Sequence, residues 1–511
     1  MVKTINERGD GMTKAQAAKN DYVNRSKLWQ IGFFALNNTA TNLYMFAMMF
    51  ISYYATGIAG VAVVMISAIL TAARIFDGIT DPVIGYFIDR TNTKFGKFRP
   101  FMIFGNIILA ISVLLMFNVT HLVSDSYRLP FLIVIYMIHI IGYTFQTACT
   151  KAAQTVLTND PKQRPLFSAF DAAYNTILFV GGQFYVASYL MPKHGGFNQG
   201  FFTEFNTVAI VASATFTVLA VFSLWEKDRT EYFGFAEKTV KTSFRDYWPI
   251  IMRNRPLQML VVAAATDKFA GQVLRQPVVP VMFFGILIGD YALSGTVSMI
   301  TIIPTLIITF IGVDIARKKG LKKTFVGATW GALLSFTLLL VFFLVLNDPT
   351  TISLSNIGIA TIIFLVLYTL GYSFMGLTGN LVIPMIADTS DYETHITGRY
   401  VPGMIGTIFS FVDKLISSLA STIVGLMLAM IGFKTAFPEV DTPLTSGLFV
   451  LALFFHVGIP MLGWIASLIA MKFYKLDGQY MEQIQAEISE VKHMLVEKNQ
   501  ISIQPSNEKE A

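Results

Sequence analysis

Long apolar stretches separated by short polar segments follow one another along nearly the whole chain. A membrane-spanning helix needs about 20 consecutive, mainly apolar residues, and about twelve stretches of that kind occur in this sequence. Their approximate bounds are 29–54, 60–88, 100–119, 130–157, 166–191, 203–224, 256–286, 291–314, 324–346, 353–386, 402–432 and 446–473. The pattern predicts an all-α membrane protein with twelve transmembrane helices. Because this number is even, both chain ends are expected on the same side of the membrane.

The composition favours a membrane protein and excludes an ordinary soluble enzyme. Of the 511 residues, 54% are hydrophobic and only 14% are charged, whereas roughly 25% of an average soluble chain is charged. The single cysteine, Cys149, excludes an intramolecular disulfide, and no set of Cys and His residues has the spacing of a resident metal site. The sequence therefore predicts no cofactor and no metal other than a transported Na⁺.

Lysine and arginine residues alternate between successive loops, and this alternation predicts the orientation. They cluster before the first helix, in the loops 89–100, 158–165 and 315–323, in the segment 225–255 and after the last helix. Cytoplasmic loops are enriched in Lys and Arg, so both termini and the long central segment are predicted to be cytoplasmic. The predicted domains are an N-terminal segment 1–28, a six-helix half 29–224, a linker 225–255, a second six-helix half 256–473 and a cytoplasmic tail 474–511.

Two of the basic loops resemble each other. The loop after the second helix contains Gly85, Asp89 and Arg90, and residues 312–322 after the eighth helix repeat this order of glycine, acid and base. Equivalent loops in two halves resemble the loop signature of the major facilitator superfamily, whose halves are related by an axis along the membrane normal. We expect Gly85, Asp89 and Arg90 to act in conformational change. The alternative is two unrelated loops that merely follow the charge rule.

Two carboxylates lie inside the predicted second helix. Ionisable groups within a bilayer cost about 2.5–3.5 kcal/mol each on insertion scales, and they are by default functional. Asp77 and Asp81 are four residues apart, so they share one helix face. Such a pair can bind a small cation, or one acid can hold a proton while the other is charged. The alternative is a structural pair that a Lys of another helix neutralises.

Four segments of the sequence resemble one transporter family. They are 73–82 (ARIFDGITDP), 95–100 (FGKFRP), 386–393 (IADTSDYE) and 473–478 (FYKLDG). In order and helix position they resemble the glycoside-pentoside-hexuronide:cation symporter family, to which the melibiose carrier belongs. The resemblance implies the major facilitator fold, alternating access, and transport of a sugar together with Na⁺, H⁺ or Li⁺. Asp388 and Asp391, within the third segment, are expected to act in gating.

The resemblance also implies roles for individual residues. In that family, two acids of the second helix and a threonine of the fourth helix form the cation site, and they match Asp77, Asp81 and Thr144. A lysine of the eleventh helix matches Lys414, and Ser410 stands one turn earlier, where a Thr often occurs. We expect Lys414 and Ser410 at the substrate.

Other positions depart from the melibiose carrier. Its sugar-binding Asp of the first helix corresponds to Asn38, which follows Asn37. Its fourth-helix Asp and Trp correspond to Thr147 and Lys151, and its tenth-helix Trp corresponds to the glycine before Asn380. We expect Thr147 at the cation and the other four at the substrate. Loss of one acid weakens the binding of a hard cation, whereas a proton needs a single acid, so H⁺ coupling is favoured over Na⁺.

The face of the fourth helix that carries Thr147 and Lys151 is more positive than in the melibiose carrier. An ammonium among membrane helices needs a carboxylate partner. Arg275 of the seventh helix is a further candidate, because a guanidinium holds a carboxylate or sulfonate by two parallel hydrogen bonds. The sequence thus predicts an acidic saccharide. In the alternative, Lys151 pairs with Asp171 or Asp267, Arg275 snorkels to the membrane surface, and the substrate is a neutral glycoside or pentoside.

An enzyme and a lipid transporter are the alternatives to a symporter. A membrane-embedded enzyme needs a nucleophile, a metal cluster or a paired acid and base facing a cleft, and the only paired acids are those of the cation site. We therefore do not expect an enzyme. A lipid transporter of the same fold would use a cationic site at a lateral opening, which Lys151 and Lys414 could form. The expected partners are a saccharide, a coupling cation and the bilayer of the bacterial cell membrane, with no nucleic acid; the sequence assigns no oligomeric state.

Overall fold

A computed structural model describes residues 25–91, 93–158, 163–229, 247–398, 402–484, 486–488 and 490. In these residues every regular element is helical, apart from one isolated bridge between Thr93 and Gly96. Most of the predicted N-terminal segment, the middle of the predicted linker and the end of the tail lie outside the described residues. Position Gly85 and the side chains of Asp81, Asp89, Arg90 and Ser410 lie outside them as well.

The chain divides into two compact units. The first consists of Met1–Thr239 and Phe433–Phe437, and the second consists of Val240–Gly432 and Pro438–Ala511. The main division falls inside the predicted linker 225–255, and each unit contains six of the twelve predicted helices. The domain bounds themselves stay a prediction.

The first unit is a bundle of long helices with short connecting helices. They are α1 (Leu28–Met49), α2 (Ile51–Gly57), α3 (Val63–Arg90), α4 (Arg99–Asn118), α5 (Asp125–Ala152), α6 (Gln154–Leu157), α7 (Arg164–Tyr185), α8 (Met191–His194) and α9 (Gln199–Ser223). A π-helical segment, Val186–Leu190, joins α7 to α8. Helix α1 packs against α5, α7 and α9, and α5 also packs against α3 and α4. Phe34, Met102 and Cys149 belong to the buried apolar cluster between these helices.

The second unit has the same helical character. Its helices are α10 (Tyr247–Arg253), α11 (Arg255–Leu274), α12 (Val278–Pro280), α13 (Ala292–Lys319), α14 (Leu321–Val345), α15 (Ile359–Thr397), α16 (Pro402–Met430), α17 (Ser446–Leu453) and α18 (Ile459–Phe473). Two π-helical segments, Val281–Ile288 and Phe454–Gly458, follow α12 and α17. Residues 478–484 are helical too, and they insert Met481 and Ile484 into the buried cluster of this unit.

The helices confirm a multi-span membrane protein. In the described part, eight helices are long and apolar enough to cross a membrane, or nine if α11 and the following Val278–Ile288, bent by 64°, form one span. Helices occupy all twelve predicted positions, but α1 falls short of that apolarity because Asn37 and Asn38 interrupt it. Asp171 lowers the apolarity of α7 in the same way. Both α1 and α7 carry candidate site residues. The count of twelve spans stays a prediction.

A buried carboxylate just after α9 holds the start of α4. Asp228 is 1% exposed. It accepts hydrogen bonds from the backbone N–H groups of Lys97, Phe98 and Arg99 at 2.9–3.0 Å, and the Nε atom of Arg99 lies 3.5 Å from its Oδ2. The first N–H groups of a helix have no partner within it, and the helix dipole is positive at this end. Asp228 therefore accepts hydrogen bonds from the unpaired donors, and its negative charge interacts favourably with the dipole of α4.

Gly96 makes room for this carboxylate. Its φ of +97° lies in the left-handed region, which residues with a Cβ rarely adopt. A Cβ at this position would also collide with the Asp228 carboxylate and lie 2.8 Å from its backbone oxygen. The segment FGKFRP is thus the loop that wraps around Asp228. Sequence reasoning missed Asp228, because it lies 130 residues from the groups it binds.

We expect Asp228→Ala to lower the free energy of unfolding by about 3–5 kcal/mol, because it leaves a buried arginine without its counter-charge and three backbone donors without their acceptor. Thermal unfolding of detergent-purified protein measures the loss. Asp125→Ala is the control, since the Asp125 side chain is 90% exposed where it pairs with Arg128 at 2.7 Å, and surface ion pairs contribute little. Equal thermal stability of the two variants would contradict the role assigned to Asp228.

Candidate functional site

Asp77 lies on α3, where this helix packs against α5. The residue is 8% exposed. On α5, Thr144 is fully buried, and its hydroxyl oxygen lies 3.3 Å from Oδ1 of Asp77. The hydroxyl of Thr80, one turn beyond Asp77, lies 3.1 Å from that of Thr144. The structure thus brings together Asp77 and Thr144, two of the four residues that we expected at the cation.

The hydroxyl groups of Thr80 and Thr144 each lie close to more oxygen atoms than their single hydrogen can bond. The Thr144 hydroxyl also lies 3.0 Å from the Ile140 carbonyl, and the Thr80 hydroxyl lies 3.1 Å from the Asp77 carbonyl. Each hydroxyl has one hydrogen, so it cannot donate to every oxygen that it contacts, and hydroxyl and carboxylate oxygens are the ligand type of a hard cation. Thr147 donates to the Thr144 carbonyl at 3.3 Å and is half-buried one turn further on.

Asn37 and Asn38 join α1 to two different helices. The Asn37 amide donates to Oγ1 of Thr150 at 2.7 Å and to the Gln146 carbonyl at 3.2 Å, both on α5. The Asn38 amide donates to Oδ1 of Asp171 on α7 at 2.6 Å. Asn37 is fully buried, whereas Asn38 is half-buried. Asn37 therefore fastens helices together, and Asn38 is the more accessible of the two.

Lys151 is exposed in the last turn of α5. It takes part in none of the ion pairs among the described residues. Asp171, one of its two suggested internal partners, instead accepts the hydrogen bond from Asn38. The pair of Lys151 with Asp171 is thus absent from the described part of this unit. A lysine in the last turn is also stabilised by the negative end of its own helix.

The other predicted residues lie in the second unit on α11, α15 and α16, which pack against one another. Asn380 is exposed on α15, Lys414 is half-buried on α16, and Arg275 is exposed as the C-cap of α11. Asp388 and Asp391 are half-buried in the last turns of α15. This helix has 39 residues, so it is about 58 Å long and extends beyond a hydrocarbon layer of about 30 Å.

A second buried carboxylate lies in α11 of the second unit. Asp267 is 8% exposed, and Nε1 of Trp464 on α18 donates to its Oδ1 at 3.0 Å. The hydroxyl of Thr378 on α15 lies 3.4 Å from its Oδ2. Sequence reasoning named Asp267 only as a partner for Lys151 and missed this cluster, because the contacts join residues 197 and 111 positions apart. The one available signal was an acid within an apolar stretch.

The helical fold is shared with solved transporter structures. A crystal structure of a bacterial homologue of the iron transporter ferroportin, in the inward-facing state, matches with a TM-score of 0.59 and 11% sequence identity. The match covers 88% of this chain and 100% of the other. At this level of identity the similarity shows the fold alone, which is an all-helical, multi-span architecture.

Several bacterial proteins are similar in sequence over most of their length. The glucuronide carrier protein homolog of Escherichia coli (strain K12) is 24% identical over 91% of this chain and 96% of its own. An inner membrane symporter of the same organism, YicJ, is 24% identical over 87% of this chain and 91% of its own. The isoprimeverose transporter of Lactiplantibacillus pentosus is 23% identical over 87% of this chain and 88% of its own.

The match to a family covers both units. The sequence model of the family described as MFS/sugar transport protein matches residues 33–478. This match confirms the resemblance drawn from the segments ARIFDGITDP, FGKFRP, IADTSDYE and FYKLDG, and it assigns the protein to transporters rather than enzymes. The chain therefore belongs to the MFS/sugar transport protein family of the major facilitator superfamily, the family of the glycoside-pentoside-hexuronide:cation symporters.

Proposed function

We propose that this protein is a cation-coupled symporter that carries a glycoside or hexuronide across the bacterial cell membrane by alternating access. Its family consists of sugar transporters, and one relative is named an inner membrane symporter. The proposal includes the predicted topology: twelve transmembrane helices in two six-helix halves, with both termini in the cytoplasm. The proposed gating residues are Gly85, Asp89, Arg90, Asp388 and Asp391.

The proposed coupling cation is H⁺. Asp77 is a buried carboxylate whose close neighbours include the hydroxyl groups of Thr80 and Thr144. A hard cation such as Na⁺ binds more weakly with fewer carboxylates, whereas a proton needs one suitable acid. Asp81 and Thr147 complete the proposed cation site, and Na⁺ is the second candidate.

The proposed substrate is an acidic saccharide, and the observation that carries this proposal is the state of Lys151. Its side chain is exposed four residues after Thr147 and takes part in no described ion pair, while Asp171 is already bonded to Asn38. A ligand carboxylate would supply the missing counter-charge. The names of two relatives refer to an acidic sugar, glucuronide, and a neutral one, isoprimeverose. The proposed substrate-binding residues are Asn37, Asn38, Lys151, Asn380, Ser410, Lys414 and Arg275.

Replacing Lys151 should separate acidic from neutral substrates. In proteoliposomes, we expect matched uronides, but not neutral glycosides, to alkalinise the external solution as H⁺ enters with them. Lys151→Ala should weaken the apparent uronide affinity about tenfold or more, because a hydrogen bond to a charged group contributes about 1.5–3 kcal/mol. An external pH-sensitive dye measures both effects.

The matched control for this experiment is Lys472→Ala. Lys472 is also an exposed lysine in the last turn of a helix, α18, so its loss removes the same charge and the same interaction with a helix end. This variant should transport like the wild type. If neutral glycosides are taken up and their uptake survives Lys151→Ala, the substrate is neutral and Lys151 is structural.

Replacing Asp77 should uncouple substrate movement from the cation. Asp77→Asn keeps the size of the side chain and removes its charge, so it mimics the protonated acid. We expect exchange of labelled substrate at equal concentrations to continue, and accumulation driven by a pH gradient to be lost. Flux measurements in proteoliposomes test both, with the exposed Asp125→Asn as control. Loss of exchange together with accumulation would count against a coupling role for Asp77, and wild-type accumulation driven by Na⁺ at constant pH would identify Na⁺ as the coupling ion.

A further inference from the structure

Asp267 is a buried acid for which the proposed transport cycle has no role. It lies in α11 among buried alanines, including Ala264 and Ala270, and is 8% exposed. A charge in such surroundings is costly unless an ion pair or several hydrogen bonds compensate it. The contacts of Asp267 therefore indicate which protonation state this part of the protein accommodates.

An ion pair does not compensate Asp267 in the described part of the chain. The ionisable side chains on its own helix and on the packed helical elements include Lys268, Arg275, Tyr372, Asp388, Lys414, His456 and Lys472. Lys268, the next residue of α11, is exposed. None of the described cations lies within 4.0 Å of the Asp267 oxygens.

One oxygen of Asp267 has a firmly placed donor. The indole N–H of Trp464 donates to Oδ1 at 3.0 Å. Trp464 is 1% exposed, and its ring is held edge-on against Phe336 with centroids 4.9 Å apart. The preceding residue, Gly463, has no Cβ, and a Cβ there would lie only 2.9 Å from the Thr266 carbonyl oxygen. The glycine therefore allows α18 to approach α11 closely. An indole N–H can only donate, so it can bond to a carboxylate and to a carboxylic acid, and the bond to the charged form is the stronger.

The other oxygen faces a hydroxyl whose hydrogen is already used. Oγ1 of Thr378 lies 2.8 Å from the Met375 carbonyl in its own helix, and 3.4 Å from Oδ2 of Asp267. A hydroxyl carries one hydrogen and two lone pairs, and the shorter contact, typical of threonine within a helix, takes the hydrogen. The hydroxyl then offers only a lone pair to Oδ2. Oγ1 of Thr378 and Oδ2 of Asp267 can then form a hydrogen bond only when Asp267 carries a proton and donates it.

We propose that Asp267 is a proton-binding site of the second unit, in which the protonated acid donates from Oδ2 to Thr378 and accepts at Oδ1 from Trp464. Binding forms an O–H bond and leaves the side chain neutral; release returns the proton to solvent and leaves a carboxylate held by Trp464. The role of this site in coupling rests on the proposed H⁺ symport. Proton binding itself does not require substrate.

An infrared pH titration of the purified protein tests the site without transport. The carbonyl-stretch band of a protonated carboxylic acid should be present at low pH, disappear as pH rises, and be missing one component in Asp267→Asn. Thr378→Val removes the acceptor of the acid's proton, so the midpoint for Asp267 should move to lower pH by about one unit. Trp464→Phe removes a donor to the carboxylate and should move the midpoint to higher pH by a similar amount.

The opposite directions of these two shifts distinguish proton binding from a structural contact. Thr266→Val is the matched control, because the Thr266 hydroxyl bonds only carbonyls of its own helix, at 3.0 Å, and the midpoint should not move. A midpoint that rises or stays unchanged in Thr378→Val, or a band with no Asp267 component at any pH, would overturn the proposal. Failure of the wild-type protein to transport saccharides would overturn the proposed function and leave this titration unaffected.

Discussion

The hydrocarbon layer offers no water to a polar side chain, so each polar group placed there must have a partner within the protein, on its own helix or on another one. In the first unit, Asn38 of α1 donates a hydrogen bond to Asp171 of α7. In the second unit, Trp464 of α18 donates to Asp267 of α11. Such bonds hold helix pairs at fixed positions and, in the same contact, provide an acid with hydrogen-bond donors. Packing and chemistry therefore depend on the same few residues.

The same constraint continues where the chain leaves the membrane. Backbone N–H groups at the start of a helix have no partner within it. Asp228, just beyond α9, accepts hydrogen bonds from three N–H groups at and just before the start of α4. Because Gly96 adopts a positive φ, the loop can wrap closely around the carboxylate. Alternating access moves packed helices as bodies, and this contact ties two helices of the first unit together at their ends.

Hydropathy predicted where the helices lie, because it reports whether a segment is stable in a bilayer. It did not report which helices touch. The spacing of Asp77 and Asp81 gave a shared face, and only the family resemblance placed Thr144 beside Asp77, where the structure has it. The partners of Asp228 and Asp267 lie more than a hundred residues away, and no local pattern carries that information. Asn37 and Asn38, which we propose to contact the substrate, also lower the apolarity of α1.

Asp77 and Asp267 differ in what their surroundings can bind. Asp77 lies among hydroxyl and carbonyl oxygens, which are ligands for a hard cation and acceptors for a proton. Asp267 meets an indole N–H, which has no lone pair to offer a cation, and a single hydroxyl. A metal ion would therefore find more oxygen ligands at Asp77 than at Asp267, whose contacts suit the proton proposed for it. If Asp77 is the coupling site and Asp267 the proton site, as proposed, the first unit selects between H⁺ and Na⁺, whereas the second unit responds to pH with either coupling ion.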